Sequence, residues 1–256
     1  MFPTPKLSPR IITDPLSTDN ISQLLPAFCP RTTKNFYVQA IAVSTLNGQA
    51  TINGSSQALG NDVDTALLLK SRVLADCIIV GAATARAENY GGVTFTEAEQ
   101  NERRNRGQSP IAPIAVITAH AQLDPTSRLF TDTPIPPIII TDPATADPSA
   151  LARIADTGAT TIMVANLDAT SIIAELTALG FKHLSVEGGP QIYSQFLSNG
   201  LVDSLNLTID PRVTAITSPL FPLSTTDCPS AINLELSQCG ASTDGFVFLR
   251  YQIPKQ

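Results

Sequence analysis

The stretch 184-LSVEGGPQIYSQFLSNGLVD-203 decides how the chain is read. Leu184 to Val186 read as the end of a strand. Gly188-Gly189 form a turn, and Pro190 stands at the first helical position, where its missing N–H costs nothing. Ile192, Phe196 and Leu197 fall on one helical face, and Gly200 stands where a left-handed C-terminal cap closes a helix. A glycine pair at such a turn either closes a tight connection or lets a ligand approach the backbone, with the N–H groups of the helix start open to an anion. The pair alone does not choose between these.

The same strand-to-helix unit recurs outward from this stretch. FYVQAIAV, beginning at Phe36, predicts a strand. Residues 61-NDVDTALLLKSRVLA-75 predict a largely apolar helix capped by Asn61 or Asp62. CIIVG, PIAVIT, PPIIIT and TIMVA are apolar runs without alternation, as expected of strands buried on both faces. TIMVA leads into 168-DATSIIAELTALG-180, with Asp168 as N-cap and Gly180 as C-terminal cap. After residue 203 the pattern turns strand-rich: DSLNLTID, INLELSQ and GFVFLRYQ. Strand–helix alternation followed by a β run predicts an α/β three-layer αβα sandwich, with a mainly parallel mixed sheet and antiparallel C-terminal strands. Residues 1–35 carry six prolines, little periodicity and a short helix candidate at 19-DNISQLL-25; they read as an extension on the surface of a domain spanning 36–256.

Apolar content of 43% against 15% charged residues describes a folded chain rather than a disordered one. The net charge of −6 argues against a nucleic-acid partner. The run 103-RRNR-106, inside the polar segment 96–110, reads as a solvated helix face. No apolar stretch reaches membrane-span length and the start has no apolar core of a signal peptide, so a cytoplasmic location without membrane contact is expected. Cys29, Cys77, Cys228 and Cys239 are scattered and only two histidines occur, which argues against a metal site or a disulfide framework. Cys77 reads as a core residue.

A parallel sheet presents its ligand at the C-terminal ends of its strands. Three such ends are chemically rich: the uncharged polar loop 44-STLNGQATINGSSQALG-60, the turn 81-GAATARAENYGG-92, and the EGGP turn. Arg86 offers a planar guanidinium suited to phosphate. Neither a Rossmann fingerprint nor a P-loop is present.

In this order, 45-TLNG-48, 71-SRVLADCIIVGAATARAEN-89, 187-EGGPQI-192 and 200-GLVD-203 resemble the reductase domain of the RibD family of riboflavin biosynthesis proteins, which has a dihydrofolate-reductase-like fold. The resemblance spans residues 36 to about 252. It implies an NADPH-dependent reductase, with Gly81, Thr84, Arg86, Glu88, Thr118, Gly188, Gly189, Pro190, Gln191 and Ile192 toward the cofactor and Arg86 on its 2′-phosphate. It implies Arg72, Ser56, Asn47 and Glu187 toward a phosphorylated pyrimidine, with Glu187 and Asn47 catalytic. Hydride would pass to C1′ of the opened ribosyl chain, giving a ribityl product. A homodimer is the implied assembly. The chain departs from the family at Asn47, in place of an aspartate, and at Ile41, where many members carry a lysine. Neither H-A-E nor P-C-x-x-C occurs, so the zinc deaminase that often precedes this reductase is expected to be absent. Two alternatives stay open: a reductase of a dihydrofolate-like, pterin-like or other carbonyl substrate, and an NADPH-binding homologue without turnover.

Overall fold

Apolar runs without alternation need cover on both sides, and the chain supplies it by sending successive side chains to opposite faces of one sheet. The computed structural model describes residues 8–25, 35–56, 58–224 and 231–254. Among them the strands are β1 (Arg10–Ile11), β2 (Tyr37–Thr45), β3 (Cys77–Gly81), β4 (Ile114–Thr118), β5 (Ile138–Thr141), β6 (Thr160–Met163), β7 (His183–Val186), β8 (Ser204–Asp210), β9 (Glu235–Ala241) and β10 (Val247–Gln252). The helices are α1 (Asp62–Leu74), α2 (Ala82–Ala87), α3 (Glu97–Asn105), α4 (Arg128–Thr131), α5 (Pro148–Ala155), α6 (Ala169–Ala178) and α7 (Pro190–Ser198).

The sheet order is β1-β9-β10-β8-β2-β7-β3-β4-β5-β6. The pairing directions leave β10 alone running against the other nine strands. Cys77 and Ile79 of β3, with Val38, Ala40 and Leu184, pack under Ile172 and Leu176 of α6 and Phe196 of α7. Ile78 and Val80, one residue out of phase, face the opposite layer with Ala85 of α2, Leu129 of α4 and Ile154 of α5. The expected three-layer α/β sandwich is present.

The caps sit where the sequence puts them. Asn61 accepts from the Asp64 N–H and Asp168 from the Ser171 N–H, while Pro190 opens α7. The short helix expected near 19–25 is a 3₁₀ turn at Ile21–Leu24. The described part of the extension does more than lie on the domain. β1 lengthens the sheet beside β9, and Leu16, Ile21 and Leu24 are buried with Ile41, Leu67, Phe246 and Phe248. Cys77 is a buried core residue, as read; Cys29 and Cys228 lie outside the described residues. Among the described residues no helix is long and apolar enough to cross a membrane.

The arginine run corrects its reading. Thr96 and Glu99 close a capping box that starts α3, and the helix then turns Arg103 inward, fully buried. Its guanidinium donates to the carbonyls of Val73 (2.8 Å), Ala75 (2.7 Å) and Ser109 (2.9 Å). The C-terminal carbonyls of α1, which have no partner inside their own helix, are thus capped by a cation from another helix. Arg106 also donates to Val73 O, so only part of the run is a solvated face.

Candidate active site

Because β8, β2, β7, β3 and β4 are neighbours and parallel, the loops after Asp210, Thr45, Val186, Gly81 and Thr118 leave from one edge of the sheet. The 81–88 and 187–192 turns follow adjacent strands and touch. Gly81 N donates to Gly188 O at 2.7 Å. Gly188 has φ +124°, a conformation side chains other than hydrogen rarely adopt, and a Cβ on Gly189 would lie 2.5 Å from Thr84 Oγ1. The glycine pair therefore lets this turn close against the 81–88 turn, Gly189 against the Thr84 side chain and the Gly188 carbonyl against the Gly81 N–H, which is the tight-connection alternative of the sequence.

Two clefts flank this contact. One, of about 590 Å³, is lined by Gly81, Thr84, Arg86, Thr118, His120, Gln122 and Gly189 to Ile192. The other, of about 630 Å³, is lined by one face of α1 (Asp64, Thr65, Leu68, Arg72) together with Ser56, Glu88, Tyr90, Glu187 and Tyr193. They share a wall at Ala83, Thr84, Gly189 and Pro190. Among the described residues the first cleft has no carboxylate in its lining, and its only titratable groups are Arg86 and His120. In a chain of net charge −6 that composition favours an anion. The Arg86 guanidinium reaches Gln122 O at 3.3 Å, so it lies against the turn that follows β4. His120 Nδ1 is 3.0 Å from Thr145 O.

The second cleft is built around a buried ion pair. Arg72 Nε donates to Glu187 Oε1 at 2.8 Å and Nη2 to Oε2 at 2.6 Å. Tyr90 Oη donates to Oε2 at 2.9 Å, while the Arg72 guanidinium sits 5.4 Å from the Tyr90 ring centre. The Glu187 side chain is 1% exposed. Burial works against the Arg72 cation, but Glu187 and Tyr90 outweigh it and push its pKa up. Burial, reinforced by Glu187, raises the Tyr90 hydroxyl well above its ordinary range, so it stays protonated and donates. Tyr193 is raised by burial and then by the negative charges of Glu187 and Asp64, and its hydroxyl donates to Ile41 O at 2.5 Å.

The residues expected to face a cofactor divide between the clefts. Gly81, Arg86, Thr118, Gln191 and Ile192 line the first; Thr84, Gly189 and Pro190 line both; Gly188 and Glu88 line the second. Glu88 accepts a hydrogen bond from Ser56. The substrate-side residues Arg72, Ser56 and Glu187 meet in the second cleft. Asn47 does not join them. It lines neither cleft, and its carboxamide donates to Thr214 O at 2.7 Å and accepts from Thr45 Oγ1 at 2.8 Å, pinning the loop after β8.

Tyr90 and Asp64 were not singled out by the sequence. Tyr90 lies just past the RAE of the β3 turn, close enough to have been considered. Asp64 gave no signal, since an acidic residue in the first turn of a helix already has a structural explanation. It lies in the second cleft, half-buried and without an ion-pair partner among the described residues. Burial raises its pKa from 3.8 to about 6; the nearby Thr208 hydroxyl works against this and Asp210 pushes the same way. A carboxyl raised on folding makes ionisation destabilising. The penalty is absent below the unfolded value of 3.8, grows as pH rises, and is complete above about 6. Asp64→Asn is therefore expected to stabilise the fold by on the order of 2–3 kcal/mol at about pH 8 and to leave it unchanged at about pH 3.5, as read by urea unfolding.

The RibD C-terminal domain family matches residues 36–248. A pyrimidine reductase-like protein of Corynebacterium diphtheriae is 34% identical, with a TM-score of 0.82 over 92% of this chain and 99% of that one. The 2,5-diamino-6-ribosylamino-4(3H)-pyrimidinone 5′-phosphate reductase of Aquifex aeolicus is 29% identical over 178 residues, 67% of this chain and 75% of its own. The riboflavin biosynthesis reductase of Saccharomyces cerevisiae shares the fold at 15% identity, with a TM-score of 0.61 over 88% of this chain and 93% of that one. Two of the four motifs that raised the resemblance, 71–89 and 187–192, converge on the two clefts, and the chain belongs to the RibD C-terminal domain family.

Proposed function

We propose that residues 36–256 form an NADPH-dependent reductase of a phosphoribosylaminopyrimidine, with residues 1–35 as an extension of that unit. The observation that carries this reading is the shared wall: an anion-favouring cleft and a cleft holding an arginine–glutamate–tyrosine cluster meet at Thr84, Gly189 and Pro190. The first cleft fits NADPH in its chemistry. It lacks carboxylates, presents Arg86 for a phosphate monoester, and opens onto the start of α7, which has no side-chain cap. Gly81, Thr84, Arg86, Thr118, Gln191 and Ile192 would hold the dinucleotide, which supplies a hydride when bound.

The residues of the second cleft then bind and orient the substrate. With both carboxylate oxygens engaged, Glu187 acts by fixing Arg72 and Tyr90 rather than by shuttling a proton. Arg72 Nη1 makes no hydrogen bond among the described residues and is available to a substrate oxygen. Catalysis rests chiefly on holding the two reacting carbons together with water excluded, where effective molarities are large. Asn47 has no part in this reading; it anchors a loop.

A second reading, reduction of a dihydrofolate-like substrate, is favoured by Ile41, which lines the second cleft where many relatives are expected to carry a lysine. Offering NADPH with either the phosphoribosylaminopyrimidine or dihydrofolate separates the two. Loss of NADPH absorbance with the pyrimidine is the expected result, and turnover of dihydrofolate alone would replace the first reading with the second.

A further inference from the structure

The cleft that holds Arg72 and Glu187 is backed from outside residues 36–248, the part of the chain that the family shares. The backing segment, Arg10–Leu25, is fixed by its own sequence. Ile12 N donates to Cys239 O and Leu16 N to Ala241 O, both at 2.8 Å, which prolongs the parallel pairing of β1 with β9. Gly240 makes room for it: a Cβ there would lie 2.7 Å from Leu16 Cδ1 and 3.3 Å from Ile12 Cβ. Asn20 then closes a turn, accepting from the Ser17 N–H at 2.8 Å and donating to Pro15 O at 3.1 Å. The turn delivers Ile21 and Leu24, 0% and 1% exposed, onto α1 and β10.

Two residues belong both to this apolar cluster and to the cleft. Ile41, buried with Ile21, Leu24 and Leu67, lines the cleft, and Leu68, packed against the same cluster, lines it too. Val63, Ala66 and Leu67 turn one side of α1 to the cluster. Leu68 and Arg72, one turn apart, turn the neighbouring side to the cleft. The C-terminal half of α1 has polar ties: Arg103 caps its carbonyls, Gln39 Nε2 donates to Ser71 O at 3.1 Å, and Arg72 pairs with Glu187. The first two turns are seated by apolar contact, and the extension supplies part of it. Interiors are close-packed, so a gap behind Ile41 and Leu68 lets both shift and carries α1 with them.

We propose that the extension is part of the substrate site. Ile21 and Leu24 are positioning residues: they hold Ile41, Leu67 and Leu68 in place and so fix where α1 presents Arg72 to the substrate. This rests on the reductase reading above and adds to it a determinant of substrate affinity that lies outside the shared domain. The cofactor cleft is built on β3, β4 and α7 and does not touch the cluster, so its ligand should not sense the extension.

The test sets Leu24→Ala beside Leu176→Ala, the same truncation at a residue equally buried under α6 and lining neither cleft. Leu24→Ala is expected to raise KM for the pyrimidine by about tenfold, with kcat and NADPH affinity within about threefold of wild type. Leu176→Ala should leave KM unmoved, and Leu24→Met, which keeps the volume, should restore it. An unmoved KM in Leu24→Ala, or an equal rise in both alanine variants, overturns the assignment. Should Leu24→Ala not fold, Ile21→Val against Ile172→Val carries the same comparison by hydrogen exchange. Faster exchange over residues 62–68 in Ile21→Val alone is the expected result, and equal rates overturn the assignment. A wild type that turns over no pyrimidine removes the reductase reading, while exchange over 62–68 still decides whether the extension seats α1.

Discussion

Glu187→Ala is expected to lower kcat/KM for the pyrimidine by about 10²–10³-fold and to destabilise the fold by about 3–5 kcal/mol. Both effects come from one event. The carboxylate accepts two bonds from Arg72 and one from Tyr90 in a setting where its side chain is 1% exposed. Removing it leaves a guanidinium with 15% side-chain exposure and no counter-charge, which is the costly way to break a buried pair. Arg72 would then turn toward water, and Tyr90 would lose its acceptor, so the cleft loses the order that positions a substrate. NADPH affinity should stay within about threefold, because Glu187 does not line the other cleft. Glu187→Gln keeps the volume and one acceptor and should fall between the two. Urea unfolding, steady-state kinetics and NADPH titration on the same variants check all three statements. A variant that keeps its stability and its kcat/KM would show that the cluster neither supports the fold nor orders the site.

Arg86→Ala is expected to weaken NADPH by about 30–100-fold and NADH by less than about threefold, as measured by direct titration. Among the described residues Arg86 and His120 are the only titratable groups lining the first cleft, so no other fixed cation there stands in for the guanidinium. A charge-assisted bond to a phosphate monoester contributes roughly 2–3 kcal/mol, which sets the lower affinity. The adenine, ribose and diphosphate are common to both cofactors, so NADH reports whether the cleft itself survives. An equal loss for both would mean that Arg86 supports the turn rather than reading the 2′-phosphate.

The sheet was legible because its strands are apolar runs without alternation and its helices carry their own punctuation. Asn61, Asp168 and Pro190 start helices where local chemistry says they should. The turns at 81–88 and 187–192 were legible as motifs for a related reason: glycines and a strand end fix the backbone locally, whatever the rest of the chain does. What could not be read depends on chain segments meeting from afar. Arg103 looks like part of a surface run, yet it caps α1 because α3 folds back against that helix. Tyr90 and Glu187 are 97 residues apart and meet only because β3 and β7 are neighbours. Asp64 becomes buried only when β8 brings Thr208 and Asp210 beside α1. Asn47 shows the converse: its place in a motif suggests chemistry, while the loop after β8 supplies a backbone partner for its carboxamide.

The proposed reductase account stands on two clefts that share a wall at Thr84 and Gly189, and it requires a hydride to pass between their contents. Mass analysis of the product formed with NADPH carrying deuterium at both C4 positions tests this directly. The account predicts one deuterium in the ribityl chain, at C1′, and none in the ring. An unlabelled pyrimidine product, or label passed to dihydrofolate but to no pyrimidine, would contradict it.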